Sequence, residues 1–304
     1  MGEPGGVGPE IALKASAELM REGAITPLLV GSTAVWREAA AMINVSLDQF
    51  TIVDTGACDG FIKGKPTAAG GAASAAAIRR AVELATSGEA AAIVTAPISK
   101  EALKMAGMSW PGHTEMLAEL TGTRDYAMML MGAGLRVMLV TIHAAISDVP
   151  RMVTRDSVLR TIRLARRACS MLQLPSARIA VTGLNPHAGE SGMFGAEERD
   201  QITPAIEAAR AEGIDATGPL PADTVFHRIV KLNHFDLVVC MYHDQGLGPL
   251  KLLAFDSGVN ATIGLPIIRT SPDHGTAYDI AWQSRASHTS MREAITTALA
   301  LQVK

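Results

Sequence analysis

Apolar residues recur at helical spacing over residues 9–21, and a short apolar run over 26–30 ends at Gly31. Helix then strand is the rhythm of an α/β protein. The same pattern predicts helix over 33–43, extended chain at 50–53, an exposed loop over 59–70 and an Ala-rich helix over 72–87. A buried strand over 90–94 runs into Thr95, Ala96 and Pro97, and a strand end is a natural place for a ligand. A short helix is expected from Ser99, a loop over 110–112 and a helix over 114–120. The apolar runs 126–131 and 135–142, separated by GAG, read as a hairpin. The competing reading, a dinucleotide-binding glycine loop, lacks its third glycine and leads into a strand instead of a helix. Helix is expected again at 154–173, strand at 178–183, helix at 201–212, strand at 236–241 and a terminal helix at 290–302. This order predicts an α/β architecture with a partly antiparallel centre.

Length changes the picture first: 304 residues with 48% apolar content can bury roughly three quarters of the unfolded surface, and suggest about two domains. No linker or repeat marks a boundary, so two interleaved subdomains over 1–304 are expected, with the active site in the cleft between them. Net charge is −3 without long runs of one sign, which gives no footprint for nucleic acid or membrane and points to a small-molecule partner. Cys58, Cys169 and Cys240 lie far apart with no CxxC pair, which fits a reducing cytoplasm. No apolar run reaches the roughly 18 residues that span a bilayer. MGEPGG opens on loop chemistry, as though the strand that feeds this turn lay upstream of Met1.

Four histidines follow apolar strands beside turn residues: His143, His187, His243 and His274. Neutral imidazole is a common metal ligand, and three of them leave a position open for a substrate oxygen. His143, His187 and His243 are the candidate ligands, although no local motif joins them. Asp244 beside His243 is placed to orient a ligand or act on a proton, Asp223 is either a second base or a helix N-cap, and Lys100 is a third candidate base, ranked below both. Lys251, Asn260 and Arg269 alternate with apolar residues that read as strand, and His113 with Thr114 follows a glycine. Such groups suit phosphate or carboxylate oxygens. GEPGGVGPE opens a helix, serving either anion binding or close packing. HGTAYDIA leaves the same choice between a flat ligand and a turn.

The blocks MGEPGGVGPEI, TAPISKEAL, PGHTE, NPHAGE, GPLPADT, MYHDQGLGPLK, GVNATIGLP and RTSPDHGTAYDIA cover nearly the whole chain. They resemble the 4-hydroxythreonine-4-phosphate dehydrogenase family of vitamin B6 synthesis. The resemblance implies an isocitrate or isopropylmalate dehydrogenase-like fold of two domains around a mixed central sheet. It implies a homodimer with the active site at the interface, where His143 and His187 come from one subunit and His243 from the other. Zinc, cobalt or magnesium would be the metal, and NAD or NADP the hydride acceptor. His113, Thr114, Lys251, Asn260 and Arg269 match the family's substrate-binding positions, and Asp223 and Asp244 its acidic residues. His274, Gly275, Thr276, Ala277 and Asp279 resemble the adenosine-binding loop of isopropylmalate dehydrogenases. The implied reaction is oxidation of the C3 hydroxyl of 4-phosphooxy-L-threonine and decarboxylation to 3-amino-2-oxopropyl phosphate. Glu3 stands where the family usually has Asp, AAIS follows His143 in place of an LPL-type run, and Trp282 stands where Gly is frequent. DYAMMLM and DIAW are similar to a branch acting on 4-phospho-D-threonate or 4-phospho-D-erythronate, the alternative enzyme. A relative that dehydrogenates cis-dihydrodiols is disfavoured by the phosphate-suited residues, and an inactive ligand-binding protein is the alternative of another class.

Overall fold

The computed structural model describes residues 1–301. It divides into two compact units, one formed by Met1–Arg124 with Leu265–Ala300 and the other built on Asp125–Gly264. In the first unit, helix α1 (Gly8–Arg21) has Pro9 in its first turn, where the missing N–H costs nothing, and it buries Ile11, Leu13 and Leu19. Strand β1 (Leu28–Gly31), helix α2 (Thr33–Ile43) and strand β2 (Thr51–Asp54) follow, with β1 and β2 parallel and Leu28 opposite Thr51. Asp54 accepts from the Thr33 N–H at 2.8 Å and its hydroxyl at 2.9 Å, which ties the start of α2 to β2.

Helix α3 (Ala68–Thr86) starts earlier than its apolar pattern predicts, so the expected loop over 59–70 is shorter. The Thr67 hydroxyl accepts the Gly70 N–H at 3.0 Å and caps the helix. A Cβ on Gly71 would lie 2.0 Å from the Ala102 carbonyl oxygen, so the glycines that read as loop serve a close helix approach. Strand β3 (Ala92–Val94), helix α4 (Lys100–Met105) and helix α5 (His113–Leu120) complete this half of the unit.

In the second unit, β4 (Ala127–Gly132) and β5 (Leu135–Leu139) form the expected hairpin, with Gly132 paired to Leu135. Ala133 and Gly134 have φ of 47° and 81°, the left-handed pair that a two-residue hairpin turn requires. Helices α6 (Val149–Met152) and α7 (Arg155–Met171) follow, the latter opened by reciprocal capping between Thr154 and Ser157. Then come β6 (Ile179–Thr182), α8 (Thr203–Ala211), β7 (Ala216–Leu220), α9 (Ala222–Val230), β8 (Leu237–Cys240), α10 (His243–Ala254) and β9 (Val259–Ile263). Strand order across this unit is β9-β4-β5-β8-β6-β7. β4 is antiparallel to β9 and β5, while β5, β8, β6 and β7 run parallel, which is the mixed sheet expected. Val137, Leu139, Val238 and Cys240 of the sheet pack with Val225, Ile229 and Leu250 of the helices.

Lys251 was expected among strand residues and lies instead in the last turn of α10. Gly246 and Pro249 mask this helix in the sequence. A Cβ on Gly246 would lie 2.4 Å from Val137 Cγ1, so the glycine lets α10 press on β5. The chain returns to the first unit with β10 (Ile268–Pro272), parallel to β3 with Ile268 opposite Ala92, and helix α11 (Thr289–Ala300). Residue 302, the predicted end of that helix, lies outside the described residues. Among them no helix is long and apolar enough to cross a membrane, and the three cysteines are free and buried.

Candidate active site

The second unit carries the three candidate metal ligands. His143 follows β5 where Val140 and Thr141 extend the pairing by donating to the Cys240 and Met241 carbonyls, and His243 opens α10 directly after β8. Adjacent parallel strands therefore deliver both imidazoles to one sheet end, with ring centroids 5.8 Å apart. His243 Nδ1 lies 2.7 Å from Asp244 Oδ1, so the carboxylate fixes the ring and leaves Nε2 for a ligand. Asp244 is 90% exposed, so its pull on the imidazole is weakened by solvent. Among the described residues of this chain no three His, Cys, Asp or Glu groups are gathered in metal-binding reach. Imidazole donors of this kind suit a borderline divalent ion chemically.

His187 sits in a turn spanning Pro186–Gly192, where five consecutive residues from His187 to Ser191 have φ between 42° and 81°. A non-glycine residue in this region costs roughly 1–2 kcal/mol, so the turn survives only because its surroundings hold it. Buried Glu198 does so, accepting from the backbone N–H groups of Leu184 at 2.8 Å and Asn185 at 2.7 Å and from Asn185 Nδ2 at 2.9 Å. Gln245 is the second brace. Its Oε1 accepts from the Thr182 hydroxyl at 2.8 Å and the Met241 N–H at 2.7 Å, while Nε2 donates to the Gly183 carbonyl at 2.8 Å. One amide thus joins the ends of β6 and β8 to the start of α10. The sequence does not reveal either brace, because Glu198 meets Leu184 and Asn185, and Gln245 meets Thr182 and Gly183, only once the chain has folded.

Asp223 lies exposed in the first turn of α9, whose N-cap is Pro221, so its carboxylate is not spent on capping. Asn260 on β9 donates from Nδ2 to Met128 Sδ at 3.4 Å, and its buried Oδ1 has no protein partner. Lys251 Nζ stands 5.5 Å from the centre of the Phe255 ring.

The first unit carries three of the five anion-suited residues, His113, Thr114 and Arg269, while Lys251 and Asn260 belong to the second. Arg269 on β10 is 3% exposed and donates from Nη2 and Nε to the Thr95 hydroxyl at 2.8 and 3.2 Å. Burial lowers its pKa to about 10, partly offset by Glu115, so it remains a cation at neutral pH. Thr95 stands just past β3, at the strand end that the sequence marks as a place for a ligand. His113 and buried Thr114 begin α5. Burial first, then the positive charge of Arg269, hold the His113 imidazole well below its ordinary pKa. Its sealed Nε2 has no partner in the protein, which is the state of a group awaiting a ligand.

The glycine-rich opening turn serves close packing. Cβ atoms on Gly5, Gly6 and Gly8 would lie 2.6, 2.9 and 2.7 Å from carbonyl oxygens of Ile62, Thr276 and Met1. The 274–279 loop rests on this turn, with the Val7 N–H donating to the Thr276 carbonyl at 2.9 Å. His274, Gly275 and Asp279 of that loop are exposed, and Ala277 has φ 44°. Trp282 just beyond has φ 62°, a conformation glycine adopts freely and a bulky residue at a cost of roughly 1–2 kcal/mol.

Glu3 in the same turn is fully buried, with Oε1 unpartnered and Oε2 3.5 Å from the Ser74 hydroxyl. Burial raises its pKa from 4.5 to about 7 against the opposing Gly5 and Ser74 hydrogen bonds. The folded chain thus keeps a proton that the unfolded chain releases near pH 4.5, and stability falls between pH 4.5 and about 7, by about 3 kcal/mol in total. Glu3→Gln is expected to flatten this slope in urea unfolding at pH 5 and pH 8; an unchanged slope would locate the titration elsewhere.

Residues 13–298 match the family described as pyridoxal phosphate biosynthetic protein PdxA. The chain belongs to this family. It is 51% identical to the 4-hydroxythreonine-4-phosphate dehydrogenase of Geobacter metallireducens over 98% of this chain and 93% of that protein. It is 44% identical to the D-threonate 4-phosphate dehydrogenase of Pectobacterium atrosepticum over 100% of this chain and 97% of that one. A crystal structure of 4-hydroxythreonine-4-phosphate dehydrogenase from Klebsiella pneumoniae superposes with TM-score 0.89 at 41% identity, covering 99% and 97% of the two chains. Isocitrate dehydrogenase from Methylococcus capsulatus, 16% identical with TM-score 0.51 over 98% and 83%, shares the fold alone.

Proposed function

We propose that this PdxA-family chain oxidises the C3 hydroxyl of 4-phosphooxy-L-threonine with NAD or NADP and releases carbon dioxide, giving 3-amino-2-oxopropyl phosphate. The observation that carries the reading is the buried Arg269, whose charge acts on His113, together with the unpartnered Nε2 of that imidazole. A desolvated guanidinium and a neutral imidazole able to donate an N–H make a strong seat for a phosphate. Thr114 adds a hydroxyl, and Lys251 and Asn260 orient the rest of the substrate. His143, His187 and His243 would hold a divalent ion, which when bound would supply acidity at the reacting hydroxyl, and the 274–279 loop would hold the nicotinamide nucleotide, the acceptor of hydride. Asp244 orients His243 and takes part in proton removal with Asp223. A 3-oxo acid loses carbon dioxide readily, so that step needs no further base from the chain.

Each histidine segment also presents apolar surface: Ile146 after His143, Met193 and Phe194 after His187, and Leu252 and Phe255 after His243, with Leu252 87% exposed. Several exposed large apolar side chains on one molecule mark an interface. A second copy of the chain fits them, completing the metal site across a homodimer. The free, buried cysteines suit the cytoplasm.

The 44% identity to a D-threonate 4-phosphate dehydrogenase keeps a second reading, oxidation of 4-phospho-D-threonate or phospho-D-erythronate. The deciding experiment follows nicotinamide reduction with phosphooxythreonine and phosphothreonate side by side, each with NAD and NADP. Higher kcat/KM with phosphooxythreonine is expected; preference for phosphothreonate moves the chain to the other branch.

A further inference from the structure

The segment 276–284, which overlaps the end of the 274–279 loop, is held in a shape it would not keep alone. Ala277, Trp282 and Ser284 all have left-handed φ, at 44°, 62° and 58°. Its ends are anchored to α1 and the turn before it. The Val7 N–H meets the Thr276 carbonyl at 2.9 Å, Lys14 Nζ donates to the Ser284 carbonyl at 3.1 Å, and Glu10 Oε1 accepts the Ala286 N–H at 2.9 Å. Between these anchors stands Trp282. Its Nε1–H donates to the Pro4 carbonyl at 2.8 Å, its ring lies 5.8 Å from that of Phe61, and Lys63 Nζ sits 4.6 Å from its centre. The Gly64 N–H in turn donates to the Gly5 carbonyl at 2.8 Å, so three separate segments meet at the indole.

We propose that Trp282 is a positioning residue for nicotinamide-nucleotide binding: by latching the 276–284 segment to the Pro4 turn and to Phe61 and Lys63, it sets the loop in its binding shape before the nucleotide arrives. A loop ordered in advance loses less freedom on binding, so the latch acts on affinity. This rests on the reading of 274–279 as the nucleotide loop. Asp279 couples the two through its carbonyl, which accepts from Gln283 Nε2 at 2.9 Å one residue beyond the indole.

The test uses the whole enzyme without nucleotide, and then with it. In Trp282→Gly, backbone amides of 276–284 are expected to exchange with deuterium at least about ten-fold faster while those of β5 and β8 stay unchanged. Calorimetric Kd for NAD or NADP is expected to weaken about ten-fold, with kcat at saturating nucleotide and KM for the phosphorylated substrate within about two-fold of the parent. Trp282→Phe keeps the ring and loses the N–H, so it is expected to fall between the two, and it carries the test if the glycine variant does not fold. Parent-like exchange, a parent-like Kd, or acceleration spread over the whole chain would each overturn the proposal. Asp279→Ala separates the underlying reading: an unchanged Kd there removes the loop from nucleotide binding, whatever the exchange at Trp282 shows.

Discussion

Replacing His187 with alanine is expected to lower kcat/KM for nicotinamide reduction at least about a thousand-fold and to empty the metal site, since even partners behind a ligand contribute about 10- to 100-fold. The turn around His187 should survive. Alanine carries the same Cβ, so the left-handed backbone at φ 51° is neither relieved nor worsened, and Glu198 still holds Leu184 and Asn185. Metal analysis, circular dichroism and kinetics on one preparation distinguish the outcomes. Parent-like metal content and turnover in a folded variant would make His187 a structural residue.

Arg269→Met is expected to raise KM for the phosphorylated substrate by about a hundred-fold or more, because a buried charge-assisted contact to phosphate is lost where water cannot replace it. Methionine fills similar volume and leaves no unpaired charge, so stability should change little. His113 loses a cation whose field lowers its pKa, although burial, the larger cause, remains. The affinity loss should therefore not be recovered by lowering pH within the neutral range. An unchanged KM would take Arg269 out of the phosphate seat.

The placement of His143 and His243 was legible in sequence because near-continuous apolar runs locate β5 and β8, and each histidine stands just beyond one of them. The hairpin at Ala133 and Gly134 was legible because the turn chemistry is local. Glycine-rich stretches were not, since a glycine needed for close approach, as at Gly71 against Ala102 or Gly246 against Val137, looks the same as one that ends an element. That ambiguity hid the first turn of α3 and the whole of α10, and moved Lys251 from helix to strand. Glu198 and Gln245 were invisible for another reason: each acts through contacts, with the Leu184 N–H and the Gly183 carbonyl, whose partners are fixed only by the fold.

The central claim is that three imidazoles hold a metal needed for oxidation of a phosphorylated hydroxy acid. The most direct measurement is nicotinamide reduction with 4-phosphooxy-L-threonine by enzyme stripped with a chelator, before and after divalent metal is returned. The account predicts no measurable turnover in the stripped enzyme and recovery with zinc, cobalt or magnesium. Undiminished turnover in demonstrably metal-free enzyme would contradict it.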